Sequence, residues 1–159
     1  HIKKILMIKI NVLLHNKNWK RYIKNPKTYL RNKIKKLNKK NSFFKNKNLN
    51  FSLVLTDGTE IKKLNKKFRK KNKTTDVLSF PFYEKDILKK LLKKRINFYL
   101  GDVVINLNKI NNYKNEDFKI FFDKLWIHGF LHLLGHKHRL DKEFVKMSNL
   151  EKKFFKSIN

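Results

Sequence analysis

Cysteine is absent from the 159 residues, which removes thiol nucleophiles, thiolate zinc fingers and disulfides together. That absence fits a reducing compartment, and a cytoplasmic setting is the expectation. Glycine occurs four times, at Gly58, Gly101, Gly129 and Gly135, too dispersed for a G-x-G-x-x-G turn or a phosphate-cradling P-loop. None of the five serines, Ser42, Ser52, Ser79, Ser148 and Ser157, sits in a G-x-S-x-G elbow. No apolar run approaches the ~18 residues of a membrane span, and Lys3, Lys4 and Lys9 break the apolar N-terminal stretch. A membrane partner is not expected.

Acidic residues are scarce too, with 12 Asp+Glu against 41 Lys+Arg and a formal net charge of +29. Such a surface seeks a polyanion, and nucleic acid is the natural one. Lysine supplies 36 of the 41 cations, and Asn, Ile and Phe are also abundant. That is the bias of an AT-rich genome, which accounts for much of the magnitude of the charge but not for its sign.

The length is that of one ordinary domain, enough to bury roughly 70% of the surface the unfolded chain exposes. Residues 4–14 are apolar and β-branched enough for a strand, and Asn25-Pro26 then supplies an N-cap and a proline in the first turn of a helix over about 26–39. Residues 49–55 read as a second strand closed by Asp57-Gly58. Thr59 is the expected cap of the next helix, whose Ile61, Leu64 and Phe68 share one face and which ends near Arg69. Residues 76–82 resume an extended pattern with Pro81 at an edge or strand end. Residues 86–95 are a short basic amphipathic candidate, read here as a solvated connector, and 98–107 are a fourth strand interrupted at Gly101-Asp102. Residues 116–134 are apolar almost all round, including Ile120 and Phe121, as in a helix at the centre of a protein. Asp141 is the expected cap of a last helix over about 142–156 carrying Phe144, Met147, Leu150 and Phe154. The expectation is a single α+β domain in the order β-α-β-α-β-(α)-β-α-α.

Four of the six histidines fall within eleven residues, His128, His132, His136 and His138. On a helix ending at Leu134, residues four apart point the same way, so Lys124, His128 and His132 form a polar stripe on an otherwise buried cylinder. Gly135 suits the left-handed position that stops a helix and turns the chain back, placing His138 to return to the same face. Three neutral imidazoles on one side of a cation leave a further position for water, the plan of a catalytic zinc site rather than a closed structural one. His136 is a fourth ligand, an alternative third, or a pocket group reaching a substrate phosphate. The spacing is that of the zinc-protease pattern H-E-x-x-H-x-x-G-x-x-H except that Gly129 replaces the general-base Glu. A fixed carboxylate beside the metal would repel an anion, so its absence suits a phosphodiester better than a peptide.

Residues 128–138 closely resemble the signature H-G-x-L-H-L-x-G-Y-D-H of the YbeY family of ribosomal RNA maturation endoribonucleases. Leu64-Asn65-Lys66-Lys67-Phe68-Arg69, Thr75-Asp76-Val77-Leu78-Ser79-Phe80-Pro81 and Gly101-Asp102-Val103-Val104-Ile105 resemble the family's other blocks in the same order, so the likeness spans about residues 55–150. It implies a zincin-like fold with a mixed four-stranded sheet and one zinc held by His128, His132 and His138. It also implies action on the 3′ end of small-subunit ribosomal RNA and in ribosome quality control, with the small ribosomal subunit as partner. The chain departs from the pattern where His136-Lys137 replaces Tyr-Asp and Thr74 replaces Pro. If the family's Asp braces a ligand histidine, Lys137 removes that brace, and Asp141 or Asp102 is the candidate to compensate; loss of such a group weakens metal binding ~10- to 100-fold.

Arg69 and His128 are the candidate catalytic residues. Only five arginines occur in the chain, so Lys is the default cation, and a planar guanidinium at 69 can bind phosphate oxygens bidentately. A helix C-terminal cation favoured by the dipole is the plain alternative. His136, Lys137 and Asp102 are candidate RNA-binding or supporting residues, and Phe82 and Tyr83 are aromatics able to stack bases. The expected activity is zinc-dependent hydrolysis of single-stranded RNA. The competing readings are a non-catalytic ribosome- or RNA-binding factor and a metallopeptidase.

Overall fold

The computed structural model describes residues 7–94 and 96–159. Its elements are β1 (Ile8–Leu14), α1 (Pro26–Lys40), β2 (Asn48–Thr56), α2 (Gly58–Arg69), β3 (Val77–Pro81), α3 (Lys85–Leu92), β4 (Asn97–Asn106), α4 (Asn115–Leu133) and α5 (Asp141–Ile158), with short 3-10 turns between several of them. This is the order read from the sequence. Residues 4–6 of the expected first strand and Arg95 of the expected third helix lie outside the described residues.

The strands form one mixed sheet in the order β1-β2-β4-β3, with β1, β2 and β4 parallel and β3 antiparallel to β4. The central strands β2 and β4 are buried on both faces, as expected where helices cover both sides. On one face Leu53, Leu55, Val103 and Ile105 join the main core with α1, α4 and α5. On the other, Val54, Leu78 and Val104 pack under Ile61 of α2. The interruption expected at Gly101 is a bulge, where Asn50 pairs with Tyr99 but Ser52 pairs with Asp102. Gly101 has φ +135°, and a Cβ there would lie 2.2 Å from the carbonyl oxygen of Phe80, so only glycine fits.

Several local expectations are corrected. The cap of α2 is Asp57, whose carboxylate accepts from Glu60 N–H at 3.1 Å; Thr59 falls inside the helix. Leu140 occupies the cap position of α5 and Asp141 opens the helix without a capping bond. Residues 85–92 are a helix anchored by buried Leu88, not merely a solvated connector. Ile120, Phe121, Phe68 and Phe144 are exposed: each follows the apolar period of its helix, but among the described residues no element buries that part of the face. Phe121 instead stacks on Tyr113, ring centroids 4.0 Å apart.

One buried carboxylate fixes α4 to α1. Asp123 accepts from the Tyr29 hydroxyl (2.9 Å) and from Trp126 Nε1 (3.0 Å), and it lies 3.3 Å from Lys33 Nζ. These partners satisfy a charge that would otherwise be costly to bury, and burial still pushes its pKa up.

Candidate metal centre

The centre is built on the C-terminal half of α4. Gly129 lets that helix lie close on the sheet: a Cβ at 129 would sit 2.5 Å from Val103 Cγ1, and Ser79 Oγ donates to the Gly129 carbonyl at 3.0 Å. The position turns toward β3 and β4, so the missing glutamate has a packing reason, not only the electrostatic one expected. The helix ends as its sequence suggested. His136 N–H donates to Leu131 O (3.1 Å) and Gly135 N–H to His132 O (3.0 Å), with Gly135 at φ +91°, the paired bonds of a Schellman stop. The chain is thereby reversed, and one ligand-type nitrogen from each of His128, His132 and His138 falls within 4.8 Å of the others.

Hydrogen bonding sets which nitrogens face inward. His132 Nδ1 lies 2.9 Å from the His136 carbonyl oxygen; a carbonyl only accepts, so that ring carries its proton on Nδ1 and leaves a lone pair on Nε2. His128 Nδ1 faces the Glu151 carboxylate at 3.5 Å, which favours the same tautomer. The two Nε2 atoms are 3.2 Å apart. Two lone pairs directed at each other are unfavourable unless a cation lies between them, and two nitrogens on one tetrahedral zinc are about 3.3 Å apart at a Zn–N distance of about 2.05 Å. The donor set therefore fits a divalent metal. Burial, and then the neighbouring His128, draw the His132 pKa down to about 4, which keeps this ring neutral and able to ligate.

The trio opens on a cleft of about 1160 Å³. Its walls carry Arg69, Lys71, Lys85, Lys137 and Arg139, against Asp76, Glu84 and Asp86. Arg69 ends α2 and donates from Nη2 to the Ser79 carbonyl at 2.9 Å, with its guanidinium over the Phe80 ring at 5.9 Å. Its positive charge is felt at His132, whose pKa it helps to lower. The loop from Arg69 to β3 is pinned twice: buried Asn65 donates to Lys73 O (2.9 Å), and Asn106 donates to Thr74 Oγ1 and Thr75 O (both 3.1 Å).

The family model described as Endoribonuclease YbeY matches residues 13–159. The chain belongs to the YbeY family. A Pelagibacter ubique protein named Endoribonuclease YbeY is 45% identical over 96% of this chain and 97% of its own length. One of the same name from Buchnera aphidicola is 42% identical over 72% of each chain. The solution structure of a Thermotoga maritima protein matches with a TM-score of 0.53 and 26% identity, over 94% of this chain and 89% of that one.

The departures from the YbeY pattern now have physical descriptions. Thr74, where the pattern has Pro, offers a hydroxyl that Asn106 uses. His136 serves His132 through its backbone carbonyl, and its ring is not among the converging ligand atoms; burial, then Lys146 and Lys85, lower its pKa. Lys137 stands at the cleft wall. Asp102 does not line the cleft. It accepts from the Tyr99 hydroxyl on the sheet face that Val104 shares with α2, and Asp141 opens α5. The carboxylate beside a candidate ligand is Glu151, which the sequence reading missed. Its signal was present: Glu151 lies four residues after Met147 and three before Phe154, on the buried stripe of α5.

Proposed function

We propose that this protein is a zinc-dependent endoribonuclease that hydrolyses single-stranded RNA, with the 3′ end of small-subunit ribosomal RNA as its substrate and the small ribosomal subunit as its partner. One observation carries the reading: three imidazole nitrogens converge on a cleft that Arg69 also lines and whose walls are rich in cations. His128, His132 and His138 would hold the ion. A bound zinc supplies Lewis-acid polarisation of a phosphate oxygen and a water of lowered pKa.

The protein's own groups do the rest. The Ser79 carbonyl and the Phe80 ring hold the Arg69 fork in place, leaving N–H groups that can donate to non-bridging phosphate oxygens as charge develops there. Lys71, Lys85, Lys137 and Arg139 draw in the RNA backbone without reading its bases, so binding falls steeply with salt. The names of the relatives support the same activity.

The peptidase reading loses its footing at β3. Asp76 O and Phe82 N–H bond to β4, so the odd-numbered residues between them turn their backbone to the free edge. There the Ser79 carbonyl is taken by Arg69, and Pro81 has no N–H to offer. An added peptide strand would find two of this edge's outward backbone positions unusable.

The test is cleavage of ribosomal RNA by purified zinc-loaded protein beside His132→Ala and Arg69→Lys, prepared identically. Loss of cutting in both variants, with RNA binding retained by the first, is expected. Equal cleavage by parent and His132→Ala would overturn the assignment, and tight RNA binding without turnover by the parent would make it a binding factor instead.

A further inference from the structure

The cleft contains a large apolar ring that the metal chemistry does not use. Phe82 lines the same cleft as the three histidines and Arg69, yet it is 66% exposed. Leaving that much aromatic surface in water at the mouth of a cationic cleft has no packing benefit. Other exposed phenylalanines differ from it. Phe43 and Phe68 have Lys47 and Lys67 over their rings at 5.7 and 5.2 Å, whereas no cation covers Phe82 among the described residues. Phe43, Phe68 and Phe144 also lie outside the cleft lining.

The Phe82 backbone is anchored to β4. Pro81 precedes it, and its own N–H donates to Leu100 O at 2.9 Å. Its ring meets Tyr83 at 4.9 Å and 72°, and Tyr99 at 6.2 Å and 75°. Tyr83 in turn rests edge-on against Phe98 of the core. The neighbours meet the ring at steep angles, no aromatic side chain among the described residues stacks on it, and most of its surface stays open to water.

We propose that Phe82 is a base-stacking platform, gripping one unpaired base of the RNA strand while cleft cations hold the backbone on either side. This rests on the endoribonuclease reading above and adds the element that selects single strands. Every base has a stackable face, so the grip is indifferent to sequence, but in a duplex both faces are already covered by neighbouring bases.

The experiment measures binding of a short single-stranded 2′-O-methyl oligoribonucleotide and of a polyphosphate chain to the zinc-loaded protein and its Phe82→Ala and Phe82→Trp variants. Stacking strength sets the expectation: Phe82→Ala weakens RNA binding about 5- to 150-fold. Polyphosphate binding and the slope of log affinity against log salt stay as in the parent, because no phosphate contact is lost. Trp19 and Trp126 are fully buried, so the Phe82→Trp indole is a clean reporter, quenched by RNA and not by polyphosphate. Parent-like RNA affinity in Phe82→Ala, or unquenched Phe82→Trp emission at saturating RNA, overturns the platform while leaving the nuclease assignment standing. Failure of the parent itself to bind or cut unmodified single-stranded RNA overturns both.

Discussion

The His132 ring is held by the backbone of His136, not by its side chain, through a 2.9 Å bond from Nδ1 to the carbonyl oxygen. The position of that carbonyl depends on the turn at Gly135, whose φ of +91° is left-handed. Replacing His136 by Tyr, the residue of the family pattern, should therefore leave metal affinity close to that of the parent. Gly135→Ala should not. The nearest atom to an added Cβ is Lys85 Cγ at 3.5 Å, so space is available and the cost is backbone strain, about 1–2 kcal/mol. If relaxation moves the carbonyl, metal affinity falls about 10- to 100-fold. Competition against a chromogenic chelator, with thermal unfolding in parallel, separates the two effects.

Glu151 faces His128 Nδ1 from α5 at 3.5 Å and stands where a carboxylate can raise the basicity of a ligand imidazole and fix its tautomer. Glu151→Gln is expected to weaken divalent-metal binding about tenfold while leaving the unfolding midpoint of the metal-free protein nearly unchanged, since the side chain is partly solvated. The same chelator competition measures it. An unchanged metal affinity would show that His128 is oriented by other contacts.

Much of this architecture is legible in the residues themselves. The order of elements follows from where β-branched runs, Asn25-Pro26 and the Asp57-Gly58 turn fall, and the all-round apolar pattern of α4 places it against the sheet. The return of His138 follows from Gly135 and helix geometry. What the pattern hides is partnership. Asp123 is buried and Glu151 half-buried in line with core residues of its helix, but whether a carboxylate there meets an imidazole, a tyrosine or nothing depends on elements far away in the chain. Phe68, Ile120, Phe121 and Phe144 fail in the opposite sense: each has the right period, and periodicity does not say how far the covering element extends. In a phenylalanine-rich chain this ambiguity recurs. The cap of α2 is a local competition in which Asp57, also bonded to Asn16 Nδ2 at 3.0 Å, wins over Thr59.

Gly129 sets how closely α4 approaches β4, and the atom in the way of any side chain is Val103 Cγ1. Gly129→Ala should destabilise the protein by about 1–3 kcal/mol through overpacking, despite the better helix propensity of alanine. Adding Val103→Ala removes the colliding methyls, so the double variant should lose less than the sum of the two single losses. A double-mutant cycle from urea unfolding reads that coupling directly. Strict additivity would mean the helix shifts away from the sheet without resistance.

Asp57 is the acid whose charge the fold uses most locally. The Glu60 N–H, and then the Asn16 amide, hold its pKa below the ordinary 3.8. A depressed folded-state pKa means that the ionised form adds stability above 3.8, and that this contribution fades as pH drops from there through the lower folded value. Asp57→Ala should cost about 1 kcal/mol at neutral pH, the usual loss of an N-cap. Asp57→Asn keeps one oxygen for the Glu60 N–H but loses the acceptor that Asn16 Nδ2 uses and the charge at the positive end of α2, the charge alone being about 0.3–1 kcal/mol at low salt and less as screening rises. The gap between parent and Asp57→Asn should therefore close as the parent's carboxyl protonates, while Asp57→Ala stays the least stable of the three. Urea midpoints taken across the acid range at fixed ionic strength give the curve, and a gap of constant size down to the lowest pH would show that Asp57 caps α2 without using its charge.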